Sequence, residues 1–250
     1  MMRHGKAAFL ATFLCAAATA SRAADLTVIS AGAVEPGLKA ASSAFTKATG
    51  HAVKVEFNTP GQIRKRLAGG ETFDVLIAPP PVIEEMRKSG KAEADGVTLG
   101  RVGSGVAVRP GVRAPAISSG EDIKQAVLEA ESVVFNRAST GTYFESLLKK
   151  MGIWEQVEPK ARRFASGAEV MEHTLAGKGR EVAFGAITEI LLLKDRGLVF
   201  VGPLPPDVQN YTSYVATPMT AGTQKETARA LVSFLGGPSG KPLFVAAGIE

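Results

Sequence analysis

The strongest constraint on this chain is a regular alternation of short apolar segments, rich in β-branched residues, with longer segments of helical periodicity. In the first half, apolar segments at 26–30, 52–57 and 74–78 are each followed by a helical pattern. Such alternation predicts a parallel β-sheet covered by helices, which is an α/β fold. The helix punctuation agrees, since Pro36 lies near one predicted helix start and Gly50 just beyond its end.

A second series of the same kind follows. Strand patterns at 105–111, 132–136 and 181–187 are separated by helical patterns, and residues 211–217 alternate like a half-buried strand. Residues 223–248 supply one or two closing helices. The length therefore fits two α/β units of roughly 100 residues each.

No proline- or glycine-rich linker separates the two series. We therefore expect two lobes joined by extended strands near 102–108 and 211–217, with the C-terminal helices returning to the first lobe. The predicted division assigns 24–104 and 216–250 to lobe I and 105–215 to lobe II.

Residues 1–23 carry the pattern of a secretory signal peptide. A basic start with Arg3 and Lys6 precedes an apolar run too short to span a bilayer, and Ser21, Arg22 and Ala23 form a small-x-small cleavage signal. Cleavage after Ala23 predicts export to the periplasm.

Composition excludes several classes of function. Cys15 is the one cysteine and lies inside the predicted signal peptide, so the mature chain has no disulfide, thiol nucleophile or zinc–thiolate site. Removing Arg3, Lys6 and Arg22 lowers Lys+Arg from 29 to 26 against 24 Asp+Glu, a formal charge of +2. Basic residues are dispersed and only 6% of residues are aromatic, which argues against nucleic-acid binding.

Three strand-to-helix turns, at 30–33, 58–62 and 136–142, and a fourth turn, at 166–170, that opens another helix combine small residues with hydroxyl or amide groups. In open α/β sheets ligands bind beyond the carboxyl ends of strands, where helix N-termini expose N–H groups. Any one such turn is ordinarily a helix cap, but their recurrence in both lobes predicts an anion site. The candidate ligand-binding residues are Ser30, Ala31, Ala33, Thr59, Pro60, Gly61, Arg64, Ser139, Thr140, Gly141 and Val170.

Three motifs resemble the molybdate-binding-type periplasmic solute-binding proteins of ABC transporters: "LTVISAGA", "DVLIA" after "LAGG", and "TGTYFESLLKKMGIW", which ends at Trp154. The resemblance covers nearly all of residues 25–250. It implies a two-lobed periplasmic-binding-protein (venus-flytrap) fold of type II with two crossing strands. It also implies a small anionic ligand, an ABC transporter as membrane partner, and no metal or cofactor. We expect a monomer.

The family holds its oxyanion with hydroxyl groups and with backbone N–H groups at helix starts. By resemblance, the serine of its first turn corresponds to Ala33, with Ser30 the nearest hydroxyl upstream. Its second-turn hydroxyl falls near Thr59 or Pro60, its helix-start donors at Thr140 and Val170, and its tyrosine near Ala186, with Thr188 close by. Because side-chain donors are lost while Arg64 lies near the second turn, we expect a small carboxylate rather than molybdate.

An enzymatic alternative uses the same cleft. Some exported proteins that resemble this family are aconitate isomerases, which move a proton along a tricarboxylic allylic system. The base cannot be chosen from the sequence, where His173, Glu189 and Glu35 are the candidates. His51 lies in a predicted helix-to-strand turn away from the ligand-facing strand ends. No metal-binding motif occurs, so an isomerase would be cofactor-independent.

Overall fold

The computed structural model describes residues 24–250, so the predicted signal peptide lies outside the described residues. The strands are β1 Asp25–Ala31, β2 Ala52–Asn58, β3 Val75–Ala78, β4 Val97–Val108, β5 Ser132–Asn136, β6 Ala161–Phe164, β7 Glu181–Ala186, β8 Val199–Pro203 and β9 Tyr211–Pro218. The α-helices are α1 Glu35–Thr49, α2 Pro60–Ala68, α3 Pro80–Lys88, α4 Gly120–Glu129, α5 Ser139–Lys150, α6 Trp154–Val157, α7 Gly167–Ala176, α8 Ile187–Leu191, α9 Lys225–Gly236 and α10 Lys241–Ala246. Across 24–250 no helix is long and apolar enough to cross a membrane.

The strands form one mixed sheet in the order β2-β1-β3-β9-β4-β7-β5-β6, with β8 beside β4. Strand β1 pairs in parallel with β2 and β3, and β5 pairs in parallel with β6 and β7. We call the first parallel group, with its helices, lobe I and the second lobe II. The predicted parallel pairing is therefore present within each group.

Three strands depart from the predicted parallel arrangement: β8 lies antiparallel to β4, and β4 and β9 run between the lobes. Strand β9 lies antiparallel to both β3 and β4. Strand β4 pairs with β9 from Val97 to Gly103 and with β7 from Ser104 onward. This change of partner lies beside the predicted division after residue 104, which stays a prediction.

Each lobe has its own apolar core. In lobe I the helices α1, α9 and α10 contribute Phe45, Leu231 and Phe244, all of which are buried against the sheet. In lobe II the ring of Phe144 lies 3.7 Å from that of Phe184 and packs edge-on against Phe135. These two clusters hold α1, α5, α9 and α10 on the sheet, and two further clusters, which contain Ile63 and Val170, hold α2 and α7.

A buried carboxylate ties the C-terminal segment to lobe I. Asp74 Oδ2 accepts hydrogen bonds from the backbone N and Oγ1 of Thr27, at 2.8 and 2.9 Å. Its Oδ1 accepts from the backbone N of Thr223 and Gln224, at 2.9 and 3.0 Å. Burial by itself raises the pKa of Asp74, but these hydrogen bonds outweigh it and hold the pKa below its usual range. The ionised group thus links β1 to the start of α9.

Replacing Asp74 with alanine tests this link. We expect the free energy of unfolding to fall by about 3 kcal/mol, because the backbone N–H groups of Thr27, Thr223 and Gln224 all lose their acceptor in partly buried hydrogen bonds. Urea unfolding followed by circular dichroism measures the change. Asp25→Ala is the control, since Asp25 forms an exposed ion pair with Lys54 and its loss should cost about 0.5 kcal/mol or less. Equal losses in the two variants would contradict this role for Asp74.

Candidate functional site

A cavity of about 270 Å³ lies between the two lobes. Four strand-to-helix turns border it, at the carboxyl ends of β1 and β2 in lobe I and of β5 and β6 in lobe II. The lining residues are Ala31, Gly32, Ala33, Glu35, Phe57, Asn58, Thr59, Pro60, Gln62, Asn136, Ala138, Ser139, Thr140, Ser166, Gly167, Ala168, Glu169, Met171, Glu172, Ala186, Glu189, Leu192, Leu193 and Tyr214. All four turns that the sequence singled out therefore meet at one cavity.

The candidate residues divide into two groups. Those that line the cavity are Ala31, Ala33, Thr59, Pro60, Ser139 and Thr140. Those that do not are Ser30, Gly61, Arg64, Gly141 and Val170. Ser30 is fully buried, with its hydroxyl donating to the carbonyl of Ala31 at 3.1 Å. Val170 is also fully buried, and its N–H donates to the carbonyl of Ser166.

Arg64 requires a correction. Its Nε lies 2.6 Å from Glu85 Oε2 on the surface, and it forms no part of the cavity wall. Five residues beyond Thr59, the side chain lies well over 90° around the helix from the N-cap, because each residue turns an α-helix by about 100°. Gln62 lines the cavity instead. Arg64 therefore gives no support to the expected preference for a carboxylate.

Helix α2 begins with a capping box on the lobe I side of the cavity. Thr59 Oγ1 accepts from the backbone N of Gln62 at 3.4 Å, and Gln62 Oε1 accepts from the backbone N of Thr59 at 2.7 Å. Both contacts use the oxygens as acceptors. Within residues 24–250 no protein acceptor takes up the Thr59 hydroxyl proton or the Gln62 amide protons, so both groups can donate to a ligand.

Helix α5 begins on the opposite wall and is capped by a residue of the preceding strand. Asn136 Oδ1 accepts from the backbone N of Ala138 and Gly141, each at 3.0 Å, and Asn136 Nδ2 donates to Thr140 Oγ1 at 3.1 Å. Among the described residues, the N–H groups of Ser139 and Thr140 have no protein acceptor. The helix start thus presents free donors to the cavity.

Helix α7 also begins at the cavity, and its first turn is capped by the side chain of Ser166. The Ser166 hydroxyl accepts from the backbone N of Glu169 at 3.2 Å and donates to Glu169 Oε1 at 3.1 Å. In the part of the chain that is described, the N–H groups of Gly167 and Ala168 donate to no protein atom. A second set of backbone donors therefore faces the cavity from lobe II.

No lysine, arginine or histidine lines the cavity within residues 24–250. Positive potential in the cavity therefore comes from helix starts, whose N-terminal ends carry partial positive charge. Four carboxyl groups share the wall, those of Glu35, Glu169, Glu172 and Glu189. Glu35 pairs with Lys39 at 2.5 Å and Glu172 with Arg196 at 2.9 Å, whereas Glu169 caps α7.

Glu189 differs from the other three, because no ion pair or side-chain donor neutralises it among the described residues. Its carboxyl group lies between the lobes: a Cβ built on Gly167 would be 1.9 Å from Oε2, and one built on Gly32 would be 3.3 Å from Oε1. Burial raises the pKa of Glu189 from 4.5 to about 7; a hydrogen bond from the Ala186 backbone opposes this and the charge of Glu35 adds to it. Near neutral pH this group is therefore present in both its neutral and its ionised form.

The lobes also touch directly beside Glu189. Thr188 Oγ1, in lobe II, donates to the carbonyl oxygen of Ala33, in lobe I, at 2.6 Å. Both residues are buried. The two lobes are therefore joined by a buried hydrogen bond next to the cavity-lining residues Ala33 and Glu189.

Only two of the three candidate bases lie at the cavity. Glu35 and Glu189 line the cavity, while His173 does not. His173 Nε2 lies 3.3 Å from Glu181 Oε1, and its ring packs against Phe164. His173 is only a few residues from the start of α7, but its side chain lies on a face of the helix that does not border the cavity.

Tyr214 lies outside the predicted turns, whereas Gln62 and Asn136 lie within the turns at 58–62 and 136–142 but were not among the candidate ligand-binding residues. Tyr214 lies on β9, is 4% exposed and lines the cavity. Burial, followed by the nearby charge of Glu189, raises the pKa of Tyr214 above its usual range, so its hydroxyl stays protonated and can donate. The signal available in the sequence was its place in a strand predicted to cross between the lobes.

The chain is similar in sequence to known solute-binding proteins and to an aconitate isomerase. A family model described as bacterial extracellular solute-binding protein matches residues 26–250. An aconitate isomerase from Pseudomonas sp is 29% identical over 219 residues, 84% of this chain and 81% of that protein. The molybdate-binding protein ModA of Azotobacter vinelandii is 27% identical over 237 residues, 92% of both chains.

Solved structures are similar along almost the whole chain. The periplasmic molybdate-binding protein of Azotobacter vinelandii has a TM-score of 0.76 at 18% identity and covers 90% of this chain and 98% of its own. The sulfate-binding protein SubI of Mycobacterium tuberculosis H37Rv has a TM-score of 0.73 at 17% identity, covering 90% and 86%. At these identities the likeness concerns the fold.

Two glycines in the first turns of α5 and α2 test the geometry of the cavity walls. A Cβ on Gly141 would lie 1.8 Å from the carbonyl oxygen of Asn136, whereas one on Gly61 would meet nothing within 4 Å. We expect Gly141→Ala to lower the free energy of unfolding by about 2–3 kcal/mol, because backbone must move. The matched control Gly61→Ala should leave it unchanged or raise it by up to about 1 kcal/mol. Similar effects in urea unfolding would show that the start of α5 is not held as described.

Proposed function

Because the chain belongs to the bacterial extracellular solute-binding proteins, we propose that it captures a small carboxylate between its lobes for an ABC-type transporter. The predicted α/β, two-lobed, type II periplasmic-binding-protein fold is confirmed by the structural similarities, and the predicted family is confirmed by the match over residues 26–250. The extracellular character of the family supports export, with residues 1–23 as the cleaved signal peptide and the periplasm as the place of action.

One observation carries the proposal: unpaired backbone donors at the starts of α5 and α7 in lobe II share one cavity with the Thr59 hydroxyl and Gln62 amide of lobe I, and no cationic side chain lines that cavity among the described residues. Anions bind at helix N-termini because N–H groups and the helix dipole favour negative charge there. Donors on facing walls can be satisfied together only when the lobes close on the ligand. This is the arrangement that a solute-binding protein needs for an anion.

The walls between these donors favour a ligand with a carbon skeleton. Phe57 from lobe I and Met171, Leu192 and Leu193 from lobe II contribute apolar surface to the cavity. A volume of about 270 Å³ lies just below the ~300–1,000 Å³ typical of pockets for organic ligands. A small di- or tricarboxylate would place its charges at the helix starts and its carbon atoms on the apolar wall. Molybdate would leave that wall without a partner.

A thermal-shift screen followed by calorimetry tests the proposal on the mature protein. Small di- and tricarboxylates should raise Tm and bind more tightly than molybdate, tungstate or sulfate. Ser139→Ala should weaken the carboxylate that binds best by about tenfold, because a hydrogen bond to a charged group is lost. The control is Ser146→Ala on the same helix, where the hydroxyl donates to the carbonyl of Thr142. Submicromolar binding of molybdate or tungstate would overturn the preference for carboxylates, and no Tm shift with any anion would overturn anion capture.

A second candidate function is isomerisation of a small tricarboxylate in the same cavity. It is favoured by two carboxyl groups, Glu35 and Glu189, on the wall of one cavity, since moving a proton between two carbon atoms needs a group that removes and returns it. In such a shift a proton leaves the methylene carbon, the double bond moves by one position, and a proton is added to the former vinyl carbon. No other reactant is consumed. The similarity to a protein named aconitate isomerase also supports this second function.

Proton NMR of the mature protein with cis- or trans-aconitate separates the two functions. An isomerase converts either compound to the same equilibrium mixture, and Glu189→Gln should slow this by at least about a hundredfold, as expected for loss of a general acid–base group. Glu155→Gln, an exposed position on α6, should keep the wild-type rate. If wild-type protein leaves the cis-to-trans ratio at its uncatalysed value, this second function is excluded and capture remains.

A further inference from the structure

We propose that Glu189 binds the ligand as the neutral acid and donates its proton in a hydrogen bond to a ligand oxygen, so that anion capture depends on pH. The inference rests on the proposed function of the cavity. It adds to the site a side chain that the turn motifs do not contain. It also adds a regulation of that site, because the donor is lost when the proton is lost.

The position of Glu189 makes it part of both walls. Its two carboxyl oxygens lie against Gly32 at the end of β1 and Gly167 at the start of α7. Neither glycine could be replaced without moving this carboxyl group or a neighbour, as the distances of 3.3 and 1.9 Å to a built Cβ indicate. Glu189 also follows Thr188, whose hydroxyl joins the lobes. A ligand held between the helix starts therefore lies within the same enclosure as this carboxyl group.

The wall beside β1 has little else to offer as a side-chain donor. The turn after β1 presents Ala31, Gly32 and Ala33 to the cavity, and the Ser30 hydroxyl is buried and donates to the carbonyl of Ala31. A protonated carboxyl group supplies one O–H donor. In its neutral form Glu189 thus provides the hydrogen bond that this turn lacks.

The carboxylates around Glu189 favour its neutral form, whereas the Ala186 backbone hydrogen bond and the start of α7 favour the ionised form. From α1 it faces Glu35, which is paired with Lys39. From α7 it shares the cavity with Glu169 and with Glu172, and these are held by the helix cap and by Arg196 respectively. From β9 it faces the protonated hydroxyl of Tyr214. Each nearby cation is engaged by another carboxylate, so none compensates an ionised Glu189.

The direction of the pH effect follows from these surroundings. The pKa of Glu189 is about 7, so below that pH the group is neutral and donates to the anion. Above it the group is ionised and repels the anion. A bound anion favours the neutral form further, which raises the pKa of Glu189 and couples binding to uptake of one proton. The affinity should therefore fall by about tenfold per pH unit once the pH is well above 7.

Calorimetry on the mature protein between pH 6 and pH 9, with trans-aconitate and molybdate as probes, tests this coupling. Buffers of different ionisation enthalpy count the protons taken up. Wild-type protein should take up close to one proton per bound trans-aconitate at pH 8, with an affinity about tenfold lower at pH 9. Glu189→Gln keeps a donor but has no titrating proton, so it should bind trans-aconitate without proton uptake. It should also bind molybdate more tightly than the wild-type protein does at pH 8. Glu155→Gln should behave as wild type.

A direct measurement accompanies the binding data. In protein labelled with ¹³C-glutamate, the carboxyl resonance that is missing from Glu189→Gln identifies Glu189. It should titrate near pH 7, and higher with trans-aconitate bound. Titration near 4.5 overturns the inference whatever the probes do. Binding by wild type that keeps a constant affinity from pH 6 to pH 9 also overturns it, yet leaves anion capture intact. Failure of every anion to bind overturns both.

Discussion

The pairing of β4 with β9 is the constraint on which the rest of the structure depends. These two strands carry the chain between two groups of parallel strands, and β4 exchanges one set of partners for another between Gly103 and Ser104. Because of this crossing, the carboxyl ends of both parallel groups border one cavity. Without it, the four strand-to-helix turns would be four separate helix caps. The site is therefore a consequence of topology before it is a consequence of side chains.

Electrostatics in the cavity rests on the backbone more than on charged side chains. Helix starts contribute N–H groups and partial positive charge, while the carboxyl groups on the wall are paired, used in a cap or, for Glu189, shifted toward the neutral acid. A cationic side chain would hold an anion too, but a flexible one loses conformational entropy on binding. Donors that are already fixed by helix packing lose little, which suits a site that must bind and release its solute.

Much of the fold was predictable because strand and helix periodicities are local. The strands at 26–30, 52–57 and 132–136 and the helices that follow them agree with the structure to within a few residues. Strand β6 was not predicted, since its two arginines look like a polar turn. Its residue Arg163 is held by Glu145 at 2.5 Å and by the ring of Phe135, contacts that only the folded lobe supplies. Helix α8 is too short for periodicity to detect.

By itself the sequence determined the alternation of strands and helices, the hydroxyl- and glycine-rich turns, and so the expectation of an anion site at helix starts. Only the tertiary structure decided which of those residues face the cavity. It placed Gln62 there instead of Arg64, buried Ser30 and brought Tyr214 and Glu189 to the wall. The reason is physical: a helix start depends on neighbouring residues, whereas the direction of a side chain and the pKa of a carboxyl group depend on packing between segments far apart in sequence.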